Sequence, residues 1–271
     1  MATRLVLAGG GKMGGAMLKG WLDRGVAPDD IYVIEPNEER AGEIVRRHRV
    51  HVLSTADNIP PALTPDAIVL AVKPQMMDDV ARQYRRFVGP RTVFLSIAAG
   101  RTLDGFTALL GADAAVVRAM PNTPCAVRKG ITVACAGANV GAPAQALCQS
   151  LLEAVGEALW IEDESLMDGV TALSGSGPAY VFLLVESLAR AGVHAGLPEA
   201  LAERLARATV IGAAELLDQS GEAPATLRQN VTSPGGTTAE ALAVLMRGDG
   251  WQDAIDRAIA AAARRSRELA S

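Results

Sequence analysis

The sequence predicts an α/β protein in which an N-terminal, mostly parallel sheet precedes an all-α C-terminal part. Up to Trp160, short apolar runs alternate with segments of helical spacing, which is typical of βαβ units. From Glu162 onward no strand pattern is present, and the chain continues in long alanine- and leucine-rich helical segments. With 271 residues and 49% hydrophobic content, the chain has enough apolar material for two domains.

A glycine-rich turn follows the first apolar run, Leu5–Ala8, and leads into a predicted helix. Its glycines match Gly-x-Gly-x-x-Gly in the strand–turn–helix context of a Rossmann-type dinucleotide site. The first glycine would make a tight turn, the second would admit a pyrophosphate, and the third would let the helix pack closely. A turn that merely closes a strand–helix corner is the alternative. The candidate cofactor residues here are Gly9, Gly11, Lys12, Met13 and Gly14.

An acidic residue, Glu35, ends the second predicted strand, Ile31–Ile34, about 20 residues beyond the glycines. A carboxylate at this position accepts a hydrogen bond from the adenosine ribose 2′-OH and repels a 2′-phosphate. Glu35 therefore favours NADH over NADPH, although the nearby Arg40 complicates the choice. The alternative is an acidic strand end with no ligand role.

Six further apolar runs complete a predicted sheet of about eight strands. They are Val50–Val52, Asp66–Val72, Thr92–Ile97, Ala115–Met120, Ile131–Ala136 and Ala158–Ile161. Ligands of open α/β sheets bind at the carboxyl ends of strands, where this chain has small residues that admit a flat ring and a rigid Pro-Asn-Thr-Pro loop. The candidate cofactor residues at these ends are Ala71, Val72, Lys73, Pro74, Ala98, Gly100 and Asn122. Lys73 is equally well explained as a solvated loop cation.

The change of pattern places a predicted domain boundary between residues 161 and 162. Residues 1–161 would form the dinucleotide-binding domain, and residues 162–271 a helical domain for dimerisation and substrate binding. Ser174–Pro178 predicts a sharp hinge before the helix Ala179–Val193. This helix is apolar nearly all round and needs cover on every side, so we expect an intertwined dimer.

A second glycine-containing turn, Ser233–Thr238, directly precedes a predicted helix that begins at Ala239. Hydroxyl groups, two glycines and a helix N-terminus converge there, which predicts a site for an anion such as a carboxylate. An ordinary Ser/Thr cap beside a glycine loop is the alternative.

Composition excludes several other classes of function. The net charge is −4 and no Lys/Arg block is present, which argues against nucleic acid as a partner. The three cysteines form neither a Cys-x-x-Cys pair nor a cluster with histidine, so we expect no metal. No signal peptide is evident, and Glu186 and Arg190 interrupt the most apolar stretch, so we expect a cytoplasmic protein with no membrane association.

Three motifs together resemble those of the pyrroline-5-carboxylate reductase family. They are Met120–Pro124, Leu173–Tyr180 and Ser233–Thr238, and they occur in the family's order behind the Gly9 motif, so the resemblance covers essentially the whole chain. It implies hydride transfer from NADPH or NADH to the C=N bond of 1-pyrroline-5-carboxylate, giving L-proline in the last step of proline biosynthesis. It also implies a homodimer, with a higher oligomer of dimers left open.

The resemblance also implies roles for individual residues. Ser233 and the backbone around Thr237 and Thr238 would hold the substrate carboxylate, and the Thr238 hydroxyl would contact the ring nitrogen. The implied substrate set is Ser233, Gly236, Thr237 and Thr238, with Thr238 as the catalytic residue. Asn58 and Ala71–Pro74 would line the cofactor. The family usually has Asn where this chain has Lys12, and its NADPH-preferring members have small polar or basic residues where this chain has Glu35.

Two other functions fit the two-domain plan. A 3-hydroxyacid dehydrogenase uses a lysine of its helical domain as acid–base group, but this chain has no lysine beyond Lys129. The only histidine of that region, His194, lies near a predicted helix end and is better explained as a surface residue. A non-catalytic NAD(P)-binding regulator is the other alternative, and the intact Ser233–Thr238 motif argues against it.

Overall fold

The computed structural model describes residues 3–270 and shows an eight-stranded sheet followed by a helical region. The strands are β1 Leu5–Ala8, β2 Ile31–Ile34, β3 His51–Leu53, β4 Ala67–Leu70, β5 Val93–Ser96, β6 Ala115–Met120, β7 Gly130–Ala136 and β8 Gly156–Ile161. The helices are α1 Lys12–Asp23, α2 Glu38–His48, α3 Met77–Gln83, α4 Leu103–Leu110, α5 Ala142–Glu153, α6 Met167–Val170, α7 Gly177–His194, α8 Glu199–Ser220, α9 Pro224–Asn230, α10 Thr237–Leu245 and α11 Trp251–Ala270. The predicted fold class is confirmed.

The strand order β3-β2-β1-β4-β5-β6-β7-β8 places β1 at the centre of a doubly wound sheet. The first six strands in this order are parallel, whereas β7 pairs antiparallel with β6 and β8 pairs parallel with β7. Because the strand order reverses between β1 and β4, the carboxyl ends of these two strands flank a crevice suited to a ligand.

Each face of the sheet is covered by its own apolar cluster, which explains the nearly continuous apolar strands. On one face, α1 packs on β1 and α5 packs on β8, and the fully buried Trp21 ties the two helices together. Its Nε1 donates a hydrogen bond to the carbonyl oxygen of Leu151 at 2.9 Å. This packing fixes α1, whose first residues belong to the predicted cofactor site.

The chain divides into two compact units, one running to Gly175 and including the residues from Ala262, and the other comprising Ser176–Ala261. The last helix, α11, therefore returns to the first unit, where Ser266 Oγ donates to Asp168 Oδ1 at 2.6 Å. The boundary predicted at residue 161 coincides with the end of β8 and stays a prediction about domain organisation.

The predicted hinge at Ser174–Pro178 contains the boundary between the two compact units, which falls between Gly175 and Ser176. Thr171–Gly175 forms a π-helical turn, Ser176 is a bend, and α7 begins at Gly177. The Ser176 side chain makes no capping hydrogen bond within residues 3–270, so the predicted serine cap is wrong. Pro178 is tolerated because it lies in the first turn of α7, where its missing N–H is not needed.

Taken across this bend, the helical run Glu164–His194 is 31 residues long, and by length and composition it is apolar enough to cross a membrane. Glu186 and Arg190 do not cut this run short as predicted, because it begins at Glu164. An apolar helix that forms the core or an interface of a soluble protein meets the same criterion. Only 11% of the most apolar part of this run is buried within the chain, so its apolar surface must pack against something outside the chain.

The second unit consists of α7 to α10 and most of α11, and within it α7 packs on α8. Gly192 allows this close approach, since a Cβ at that position would lie 3.0 Å from the Cβ of Ala202. Large apolar side chains of this unit are nevertheless exposed, including Val181, Phe182, Leu183, Ile211, Leu216 and Val244.

Candidate functional site

The glycine turn after β1 has the geometry that a dinucleotide site requires. Gly9 has a φ of +103°, and a Cβ there would lie 2.9 Å from the carbonyl oxygen of Ala71. Its N–H donates to the carbonyl oxygen of Ile34 at 3.0 Å, so the turn is held between the ends of β2 and β4. Only glycine combines this backbone conformation with so close an approach.

The start of α1 is open to a ligand. Among residues 3–270, no heavy atom other than those of Gly11 and its chain neighbours lies within 4 Å of the position that a Cβ of Gly11 would occupy, and no side chain caps this helix. A Cβ at Gly14, by contrast, would overlap the carbonyl oxygen of Gly9, so this glycine lets the helix pack on the turn. Lys12 and Met13 form the first turn. Free N–H groups at an uncapped helix N-terminus fit a pyrophosphate.

The remaining predicted cofactor residues lie at the same edge of the sheet. Glu35 follows β2, Asn58 lies in a short 3-10 turn after β3, and Ala71 to Pro74 follow β4. Ala98 and Gly100 follow β5, and Asn122 follows β6. The parallel pairing of these strands therefore brings residues from six separate segments to one edge, as the sequence predicts.

Both amide side chains among these residues already have partners within the protein. The Asn122 amide donates through Nδ2 to the Ser174 carbonyl oxygen at 3.2 Å, and its Oδ1 accepts from the Ile131 N–H at 3.0 Å. Asn58 is exposed, and its Nδ2 donates to Ser54 Oγ at 3.1 Å. Asn122 therefore fixes the Pro-Asn-Thr-Pro loop and the π turn, while Asn58 stays accessible.

Arg101 was not singled out from the sequence, yet it braces the loop after β4. Its guanidinium donates to the Pro74 carbonyl oxygen at 2.7 Å and pairs with Asp78 Oδ1 at 2.6 Å. The only sequence signal is a basic residue directly after Gly100. Arg118, buried in β6, similarly pairs with Glu164 Oε1 at 2.7 Å, and the same oxygen accepts from the Leu103 N–H at 2.9 Å.

The thiol groups near this edge of the sheet are held in their protonated, unreactive form. Burial raises the pKa of the Cys125 thiol in the Pro-Asn-Thr-Pro segment, and burial likewise raises the pKa of Cys135 on β7. Among residues 3–270, no group of three or more His, Cys, Asp or Glu side chains is placed to hold a metal ion.

The second predicted site lies in the other unit, at the start of α10. Gly235 has a φ of +69°, and the Gly236 N–H donates to the Ser233 carbonyl oxygen at 3.0 Å, closing a tight turn. The helix begins at Thr237, two residues earlier than predicted, so both threonines belong to its first turn. In the described part of the chain no side chain caps it. Ser233 and Thr237 are exposed and Thr238 is half-buried, so a ligand can reach them.

Comparisons with known proteins find relatives of both parts of the chain. Residues 164–269 match the family model described as pyrroline-5-carboxylate reductase dimerisation, and residues 4–100 match that of NADP oxidoreductase, coenzyme F420-dependent. A pyrroline-5-carboxylate reductase from Synechocystis is 41% identical, covering 99% of both chains. The structure of a pyrroline-5-carboxylate reductase from Coxiella burnetii is 34% identical, with a TM-score of 0.93 and full coverage of both chains. That of Plasmodium falciparum pyrroline carboxylate reductase with NADP bound is 29% identical, with a TM-score of 0.83 over 99% and 98% of the two chains.

The fold and the glycine turn thus define an oxidoreductase that uses a nicotinamide dinucleotide. More particularly, the chain belongs to the pyrroline-5-carboxylate reductase family, since the relationship extends over its whole length. The predicted reductase function and the use of NADPH or NADH are confirmed at this level. The dimerisation model spans the whole of the apolar helical run, including α7, so dimer formation accounts for the exposed apolar surface.

Proposed function

We propose that the start of α10 binds the carboxylate of 1-pyrroline-5-carboxylate while the glycine turn after β1 binds NADPH or NADH, and that the chain thereby forms L-proline. The observation that carries this proposal is the uncapped start of α10 directly behind the Ser-Pro-Gly-Gly turn. Backbone N–H groups and the helix dipole favour an anion there, and the substrate of this family is a carboxylate.

Four residues would form the substrate site. The Ser233 hydroxyl and the N–H groups of Thr237 and Thr238 donate to the substrate carboxylate, and Gly236 leaves room for it. A Cβ at Gly236 would lie only 2.6 Å from Ser233 Oγ, so glycine keeps that hydroxyl in place. The Thr238 hydroxyl contacts the ring nitrogen and is the proposed catalytic group.

The cofactor residues would act in three groups. The turn residues hold the pyrophosphate, Glu35 and Asn58 lie towards the adenosine, and the loops after β4, β5 and β6 lie towards the nicotinamide. The proposed set is Gly9, Gly11, Lys12, Met13, Gly14, Glu35, Asn58, Ala71, Val72, Lys73, Pro74, Ala98, Gly100 and Asn122.

The reaction requires little acid–base catalysis by the protein. When bound, the nicotinamide supplies the hydride that the imine carbon receives. A protonated imine is already electrophilic, which fits a helical region without lysine. The protein's contribution is then mainly positioning, which supplies about 7–11 kcal/mol when the geometry approaches that of attack.

Assembly and location complete the proposal. We place the enzyme in the cytoplasm as a homodimer, with a higher oligomer of dimers left open. Free, buried Cys125, Cys135 and Cys148 suit a reducing compartment. The extent of exposed apolar surface on the second unit supports a large interface between subunits.

Thr238→Val tests the catalytic role. The substitution keeps the shape of the side chain and removes the hydroxyl, so we expect kcat to fall about 100-fold while the Kd for NADH changes less than about twofold. Thr226→Val, at an exposed position in α9, is the matched control and should behave like the wild type. Unchanged kcat in Thr238→Val would remove the hydroxyl from the mechanism.

A further inference from the structure

The Glu35 carboxylate is locked in place at the carboxyl end of β2. The residue is only 4% exposed. Its Oε2 accepts a hydrogen bond from the Gly10 N–H at 3.1 Å, and its Oε1 accepts one from the Asn37 N–H at 3.0 Å. Two backbone donors therefore hold both oxygens beside the glycine turn. A carboxylate held in this way cannot swing into solvent without leaving two N–H groups unpaired.

Arg40 is the third partner of this carboxylate. Its Nη1 lies 3.0 Å from Glu35 Oε2, but the Arg40 side chain is 49% exposed, whereas that of Glu35 is 3% exposed. The pair is therefore asymmetric, with a fixed anion and a largely solvated cation. Such a cation is screened by water and salt and neutralises its partner only in part.

We propose that Glu35 makes this enzyme selective for NADH over NADPH, an inference that rests on the proposed dinucleotide site. An ionised carboxylate has about four lone-pair positions, of which the three donors occupy three. The fourth can accept the hydrogen bond of a ribose 2′-OH. A 2′-phosphate at the same place offers no proton at neutral pH and brings a second negative charge next to a fixed one.

The other groups around this position reinforce the selection. Glu38 and Glu39 lie in the first turn of α2 and add negative charge where a 2′-phosphate would need a cation. The Asn37 side chain is held at the start of that helix, because its Oδ1 accepts from the Arg40 N–H at 2.9 Å. Arg40 could reach a phosphate only by leaving Glu35, which would remove the only cation paired with that buried carboxylate among the described residues.

Binding of nucleotide fragments tests this proposal without any turnover. ADP-ribose and 2′-phospho-ADP-ribose carry the adenosine end of the two cofactors and lack the nicotinamide. We expect calorimetry on the full-length wild-type protein to show ADP-ribose binding at least about tenfold tighter. Glu35→Gln keeps an acceptor for the Gly10 N–H and removes the charge, so the ratio of the two Kd values should fall about tenfold. Glu39→Gln removes the same charge from an exposed position of α2 and should change the ratio less than about twofold.

The outcomes separate this inference from the proposed function. Equal or tighter binding of 2′-phospho-ADP-ribose by the wild type would overturn the inference, and so would an unchanged ratio in Glu35→Gln. Selective binding of ADP-ribose by a protein that does not reduce the imine would support the inference and refute the proposed function. Failure to bind either fragment would overturn both.

Discussion

At the scale of single residues, the buried amide of Asn122 shows how one side chain can hold two functional segments together. It is 9% exposed and bonded at both ends, to the Ser174 carbonyl oxygen and to the Ile131 N–H. The sequence predicts a cofactor contact for Asn122 because it follows β6. The structure adds that its side chain faces the protein, which fixes the loop that carries it.

Asn122→Ala should therefore destabilise the protein, because the Ser174 carbonyl oxygen and the Ile131 N–H both lose their hydrogen bonds to this side chain. A buried hydrogen-bonding group left unpaired costs about 1–3 kcal/mol, and we expect the free energy of unfolding to fall by about that amount. Denaturant titration measures it. Gln83→Ala removes an exposed amide at the end of α3 and should change the free energy of unfolding by less than about 0.5 kcal/mol. Equal stability of the two variants would contradict the structural role of Asn122.

Cys148 provides a second prediction at this scale. It is fully buried on α5, and burial raises its pKa from 9.0 to about 12. Between these values the folded protein retains a proton that the unfolded chain loses, so the contribution of Cys148 to stability is complete below pH 9 and is lost as the pH rises towards 12. The slope for one group approaches about 1.4 kcal/mol per pH unit.

Denaturant titrations across this pH range should show a steeper loss of stability in the wild type than in Cys148→Ala. The substitution also leaves a small cavity, but that cost does not depend on pH. Parallel curves for the two proteins would contradict the assignment of the titration to this thiol.

At the scale of elements, the close packing of α1 on the turn after β1 depends on Gly14 and not on the neighbouring Gly15. A Cβ at Gly14 would overlap the Gly9 carbonyl oxygen, whereas the nearest atom to a Cβ at Gly15 is the Gly10 carbonyl oxygen at 3.8 Å. Gly14→Ala should cost about 1–3 kcal/mol of stability and weaken NADH binding, because the helix must move away from the turn.

Gly15→Ala is the matched control, since alanine is favoured over glycine within a helix by about 1 kcal/mol. We expect it to leave NADH binding intact and to raise the melting temperature slightly. Thermal unfolding and an NADH titration of both variants measure these effects. If Gly14→Ala bound NADH as the wild type does, the turn would tolerate the wider spacing.

The sequence predicts elements well where a single local pattern decides them. The bounds of β2 and β6 agree with the prediction, because apolar runs and flanking turn residues coincide there. The π turn at Thr171–Gly175 could not be predicted, since the two Ser-Gly pairs favour a break and carry no signal for a π turn. A Cβ at Gly175 would touch the Met120 side chain, and no local sequence pattern predicts this contact.

At the scale of the whole molecule, the exposed apolar side chains of α7 require a partner surface. Phe182 is 61% exposed, and its helix falls within the dimerisation model. Phe182→Glu should weaken the dimer, which light scattering with size-exclusion chromatography detects as a lower mass or as aggregation. Val45→Glu places the same charge on a valine of α2 that is 47% exposed and should leave the mass unchanged. An intact dimer in Phe182→Glu would exclude this face from the interface.

The sequence also predicts the two-part plan and the edge of the sheet that carries the cofactor residues, because the sheet topology follows from the alternation of strands and helices. It could not predict the return of α11 to the first unit through Ser266, or the bracing of Pro74 by Arg101. Both depend on contacts between residues far apart in the chain, which leave no periodic signal.

The most direct test of the whole account is the initial rate of nicotinamide oxidation by the purified protein with 1-pyrroline-5-carboxylate, measured with NADH and with NADPH. A 3-hydroxyacid in the presence of NAD⁺ serves as the comparison. We expect imine-dependent oxidation of the cofactor and no turnover of the hydroxyacid. When each cofactor is supplied at the same low concentration, the rate should be higher with NADH than with NADPH. Absence of imine-dependent oxidation with either cofactor would contradict the account.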